Sequence, residues 1–158
     1  MYTHLCACVF RLRDLADQFQ VVSFDPRGYG QSRPPARDFP TDFYQQDADD
    51  AAALMKALGY DRYALMGWSD GAISAVMHTA SHPSAVERLI IFGGNAYMTK
   101  DDIDAFESTR DVEATWSKRM KETHYPVYGQ EGLQVCDSVG IVTVQPGHSR
   151  RCVCSLCV

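Results

Sequence analysis

Gly67-Trp68-Ser69-Asp70-Gly71 is the stretch of this chain best equipped for covalent chemistry. The pattern G-x-S-x-G lies directly between a strand-like run and a helix-like run, and that context carries more weight than the five letters. A serine on so sharp a turn lifts its hydroxyl above the sheet, while the glycines let the neighbouring backbone pass without a Cβ clash. The following helix directs its positive end at the oxyanion that forms in acyl transfer. Ser69 is therefore the candidate nucleophile, and the backbone N–H of Asp70 the candidate oxyanion donor.

A serine nucleophile needs a base, usually histidine, and an acid to orient it. Asp137 and His148 stand in the order Ser, Asp, His, and His148 follows a strand-like run from Gly140 to Val144. Their separation is too short for the acid loop, crossover helix and parallel strand expected between them, since a crossover takes about a dozen residues. His78 is read onto the helix after Ser69, His82 at that helix's end as a carbonyl cap, His124 into a later helical region and His4 into the terminal segment. None of these follows a strand end near the serine, so each reads as a surface or core histidine rather than the base.

The cysteines cluster at the two ends: Cys6 and Cys8, then Cys136, Cys152, Cys154 and Cys157. That distribution is unlike a disulfide framework. Cys152, Cys154 and Cys157, with His148 as a fourth ligand, have short metal-like spacing, but no second C-x-x-C pair supports a metal site. The reading adopted is a reduced, unstructured tail, with no metal and no cofactor.

The elements that must position Ser69 follow from periodicity. Leu12, Leu15, Ala16 and Phe19 have helical spacing. Val21 to Phe24 is a short buried strand, ended by the turn Asp25-Pro26-Arg27-Gly28-Tyr29-Gly30. That turn reads as a buried, hydrogen-bonded corner of the sheet, since it has neither a P-loop nor a full G-x-G-x-x-G. A helix then starts at Thr41 or Asp42, carries Ala48, Ala51, Ala52, Met55 and Leu58 on its apolar stripe, and stops at Gly59. Tyr63 to Met66 is a strand, Ala72 to Thr79 a helix closed by His82-Pro83, and Val86 to Phe92 a further apolar strand. Alternation of this kind predicts a parallel α/β sheet with right-handed crossovers. Residues 99–124 read as helical throughout, with Thr99 and Asp102 as a capping box and Asp111 starting a second helix.

Composition narrows the function classes. With 158 residues, 46% hydrophobic and 22% charged, the chain is an ordinary globular one. Fifteen Lys and Arg against twenty Asp and Glu, a formal charge of −5, argue against a nucleic-acid partner. No run of about 18 apolar residues is present, which argues against a membrane span. Residues 1–10 lack a secretory signal and an Arg-rich transit peptide, so an intracellular, cytoplasmic or mitochondrial setting is expected.

Longer strings than the serine motif carry a resemblance: DPRGYGQSRPP (25–35), DFP (38–40), LMKALGY (54–60), GWSDG (67–71), NAYMT (95–99) and TRDVEATWSKR (109–119). On these, residues 20–131 resemble the α/β-hydrolase superfamily, in its biphenyl-hydrolase-like branch. The resemblance implies a serine esterase acting on small-molecule esters, α-amino acid esters in particular. It also implies that Asp70, the acidic residue after the nucleophile, helps recognise the substrate's α-ammonium group. A helix cap is the competing reading of that side chain. The implied organisation is a partial hydrolase core over 1–95, the start of a helical lid over 96–132, and a divergent Cys-containing tail over 133–158, in a monomer. The resemblance ends before the acid and base of the triad. The chain is therefore also read as a shortened, catalytically inactive form, at most a binding module. At the front, no strand is evident to stand between the Val21 and Tyr63 strands, and exposed edges of parallel strands favour aggregation.

Overall fold

The computed structural model describes residues 18–109, 111–132, 143–144 and 152–157. His4, Cys6, Cys8, residues 11–17 of the first expected helix, Cys136, Asp137 and His148 lie outside them. The described residues divide into two units, 18–94 with 143–144 and 152–157, and 95–109 with 111–132.

The first unit contains β1 (Gln20–Ser23), α1 (Phe43–Ala57), β2 (Tyr63–Trp68), α2 (Asp70–Ser81), β3 (Val86–Phe92), β4 (Thr143–Val144) and β5 (Cys152–Cys157). Among the described residues, five strands form one sheet in the order β3-β2-β5-β1-β4. β4 runs antiparallel to β1, and all other neighbours are parallel. The architecture is the expected α/β one, a small parallel sheet flanked by helices. One element departs from expectation. Cys152–Cys157, read as an unstructured tail, is instead the strand between β1 and β2, pairing Val22 with Cys154 on one side and Leu65 with Cys154 on the other. Its backbone N–H and C=O groups join two ladders, which removes the gap that the sequence left open.

Val22 and Phe24 of the β1 segment and Tyr63 and Leu65 of β2 share a parity, so their side chains leave the sheet on one face. They meet Ala51 and Met55 of α1 and Ala75 of α2 in a single buried cluster. The alanines let both helices approach the strands closely. Ala52 is only partly buried and Leu58 is exposed, so the true stripe is narrower than expected. α1 ends in a Schellman arrangement, with Tyr60 N–H on Met55 C=O and Gly59 N–H on Lys56 C=O.

The turn after β1 is a buried, hydrogen-bonded corner. Tyr29 N–H donates to Pro26 C=O and Gln31 N–H to Asp25 Oδ2, 2.9 and 2.8 Å. It is locked to α1 by a pair that sequence reading missed. Arg37 donates to both carboxylate oxygens of Asp47 at 2.7 and 2.8 Å, with both residues buried. Arg37 also donates to Arg27 C=O, and its guanidinium lies 4.7 Å from the Tyr29 ring centre. Burial pushes the Asp47 carboxyl up, and the Arg37 guanidinium opposes that shift.

The second unit holds α3 (Lys100–Thr109), α4 (Val112–Thr115) and α5 (Lys118–Gly132). Thr99 and Asp102 form the expected reciprocal capping box, and Asp111 accepts from Ala114 N–H at the start of α4. The second helix expected at Asp111 starts there, and the helical run expected over 99–124 is interrupted again at Trp116 and Ser117. At the second break the extended backbone of Trp116 closes α4, while the Ser117 hydroxyl accepts from Met120 N–H at the start of α5.

Breaking the Arg37–Asp47 pair from one side leaves a buried charge without its partner. Arg37→Met should cost about 3–5 kcal/mol, and the double variant Arg37→Met, Asp47→Leu should recover most of it. Urea unfolding of the two single variants and the double variant checks this; a double variant as unstable as Arg37→Met would refute the ion-pair account.

Candidate active site

β2 runs straight into Ser69, and α2 begins at the next residue. Ser69 has φ 55° and ψ −127°, a left-handed conformation that a side chain disfavours. Among the described residues it is the one non-glycine residue with positive φ. Two backbone bonds hold it there: Ser69 N–H donates to Phe92 C=O at 3.1 Å, and Ala72 N–H donates to Ser69 C=O at 2.9 Å. Gly67 makes the bend possible, because a Cβ there would lie 2.4 Å from Gly71 O and 2.7 Å from Ala72 Cα. The Ser69 hydroxyl makes no capping bond to α2, so it is not spent on the helix. Ser69 and Asp70 are both half-buried, and Trp68 beside them is 40% exposed. A hydroxyl at the crest of a strand–helix bend, at the positive end of a helix, can attack a carbonyl and have the resulting oxyanion stabilised.

Asp70 is the first residue of α2. Its Oδ1 accepts a 2.9 Å hydrogen bond from the Tyr44 hydroxyl, which arrives from the first turn of α1. Sequence reading did not single out Tyr44. The only trace of it is an aromatic residue one turn ahead of the buried stripe Ala48, Ala51 and Met55.

Of the described histidines, His78 has both ring nitrogens committed to the core. His78 is fully buried; Nδ1 faces Ala48 C=O at 2.8 Å and Nε2 faces the Tyr63 hydroxyl at 2.8 Å. A carbonyl only accepts, so Nδ1 carries the proton and Nε2 accepts from Tyr63. Burial lowers the His78 pKa below its ordinary 6.5, opposed by the Ala48 carbonyl and reinforced by His82. His82 caps α2 through its backbone N–H on His78 C=O, and its ring stacks on His78 at 4.9 Å. His124 bonds to Met120 C=O within α5 and lies edge-on to Trp116. Asp137 and His148 fall outside the described residues, as does His4. Among the described residues no group of three His, Cys, Asp or Glu side chains could hold a metal ion, and no helix is long and apolar enough to cross a membrane.

Residues 3–123 match a family model described as the alpha/beta hydrolase fold. Serine hydrolase BPHL of Homo sapiens is 49% identical over 113 residues, which are 72% of this chain and 38% of that protein. Serine hydrolase BPHL of Mus musculus is 46% identical over 116 residues, 73% of this chain and 40% of the relative. A more distant similarity is to 2-(acetamidomethylene)succinate hydrolase of Mesorhizobium japonicum, 31% identical over 94 residues. The chain thus spans about two fifths of the length of the serine hydrolases it matches.

Two measurements test this local physics. Ser69→Gly relieves a conformation that costs about 1–3 kcal/mol, so it should unfold at higher urea than Ser69→Ala, the reverse of the usual glycine penalty. Because His78 has a depressed folded pKa, its contribution to stability is complete above the unfolded value near 6.5 and is lost as pH falls through the folded value. Urea midpoints measured from pH 7.5 downward should therefore drop, and His78→Gln should flatten that slope.

Proposed function

The chain belongs to the α/β-hydrolase family, and on that premise we propose that it is a serine hydrolase cleaving carboxylic esters, α-amino acid esters foremost, through Ser69. The observation that carries the reading is the left-handed backbone of Ser69 at the β2–α2 junction. In this mechanism Ser69 Oγ loses its proton to a histidine and attacks the ester carbonyl. The tetrahedral oxyanion takes a hydrogen bond from Asp70 N–H, and collapse expels the alcohol, protonated by the same histidine. Water, deprotonated in turn, then releases the carboxylic acid and restores the serine. The Asp70 carboxylate, beside the reacting carbonyl, attracts the substrate's α-ammonium group, which is why α-amino esters are preferred.

A second reading has a specific observation in its favour. His78 has both ring nitrogens engaged in the core, by Ala48 C=O and the Tyr63 hydroxyl, and the His82 ring stacks on it, so the helix that follows Ser69 supplies no free base. A chain that uses none of its remaining histidines would bind an ester without turning it over, since loss of triad members costs about 10⁴-fold or more in rate.

A fluorophosphonate probe separates the two. The esterase reading expects covalent labelling of the folded chain that vanishes in Ser69→Ala; a folded sample that takes no label supports binding without turnover. Where labelling occurs, Asp70→Ala should lower kcat/KM for an α-amino ester by about tenfold or more and leave an aryl acetate nearly unchanged. Equal losses on both substrates would assign Asp70 to the helix terminus alone.

A further inference from the structure

Tyr44 brings a side chain to the candidate site from a different element, α1. It sits in the first turn of α1, and its hydroxyl donates to Asp70 Oδ1 at 2.9 Å across a sequence separation of 26 residues. Its ring lies against Phe43, with centres 3.9 Å apart. Burial raises the phenol pKa, and the Asp70 charge and hydrogen bond raise it further, so the hydroxyl keeps its proton and remains a donor at every ordinary pH. A half-buried aspartate at the first position of a helix has several rotamers open to it. A fixed donor on one oxygen selects among them, and the carboxylate then meets a cation without first losing that freedom.

We propose that Tyr44 is a positioning residue, which orients the Asp70 carboxylate toward the α-ammonium group of the substrate and so sets the preference for amino esters over neutral ones. The proposal rests on the recognition role given to Asp70 above. It assigns Tyr44 no contact with the reacting carbonyl. Its effect is therefore confined to ligands that carry the ammonium group, whereas a merely structural tyrosine would weaken all ligands alike.

The test uses equilibrium binding and so does not depend on turnover. Full-length chain labelled with ¹⁵N is titrated with valinamide and with isovaleramide, the same amide without the amino group, following the amides of residues 69–71. The wild type is expected to prefer valinamide. Tyr44→Phe, with its fold checked by circular dichroism, should lose about tenfold in valinamide affinity and keep its isovaleramide affinity, the scale of one hydrogen bond to a charged group. In parallel, the ultraviolet absorbance of tyrosinate, taken as wild type minus Tyr44→Phe, should show Tyr44 ionising at lower pH once Asp70→Asn is introduced. Three results overturn the proposal: an unchanged valinamide preference in Tyr44→Phe, equal weakening of both amides, or no response of Tyr44 ionisation to Asp70→Asn. If Asp70→Ala abolishes the preference while Tyr44→Phe does not, only the role of Tyr44 fails. A wild type showing no preference overturns the reading of Asp70 itself.

Discussion

Everything at the candidate site depends on one residue being kept where its backbone does not favour it. Ser69 at φ 55° costs about 1–3 kcal/mol relative to an ordinary conformation, and its surroundings must supply that. Part comes from β3, whose Phe92 carbonyl receives the Ser69 N–H while Trp68 and Phe92 stand in register. Part comes from α2, seated on β2 through buried Gly71, Ala72 and Ala75. The bend is therefore not a local property of five residues. It exists because a parallel neighbour on one side and a small-residue helix on the other both hold it.

That dependence sits on an exposed strand, less buried than β1 or β2. Leu89, Ile90, Ile91 and Phe92 are 36–47% exposed, although the unbroken apolar run is the kind that parallel sheets bury on both faces. β3 is also one of the two outer strands among the described residues. The clamp on Ser69 and this exposed apolar run thus belong to the same strand. In the serine hydrolases it matches, this chain aligns with only about two fifths of the length.

The sequence was most legible where a single local rule decides the structure. The bend at Ser69, the stop at Gly59, the capping box of Thr99 and Asp102, and the apolar run of β3 were each readable from a few adjacent residues. It was least legible where partners are distant. Arg37 and Asp47 look like two solvent charges until the turn brings them together, because burial of a charge is decided by a partner that periodicity does not reveal. Likewise Cys152–Cys157 alternates no clear polar face, and a short run of cysteines suggests metal or tail before it suggests strand. Only the vacancy between β1 and β2 makes a strand of it, and that vacancy is a property of the whole sheet.

The distant pair and the site are joined through α1. Tyr44, Asp47, Ala48 and Ala51 are spaced by three, four and seven residues, so they share one face of that helix. Arg37 anchors that face at Asp47 to the turn following β1, while Ala48 and Ala51 press it onto the core. Rotation of α1 about its axis would therefore disturb a buried ion pair as well as the Tyr44–Asp70 bond. The residue three positions from Tyr44 thus fixes the direction in which the phenol points. The corner Asp25 to Ser32, whose carbonyl at Arg27 also holds Arg37, becomes part of the same support. An orientation set at the α2 terminus is in this way secured by charges that never approach Ser69, and the strained serine and its neighbouring carboxylate owe their geometry to two separate clamps, one through β3 and one through α1.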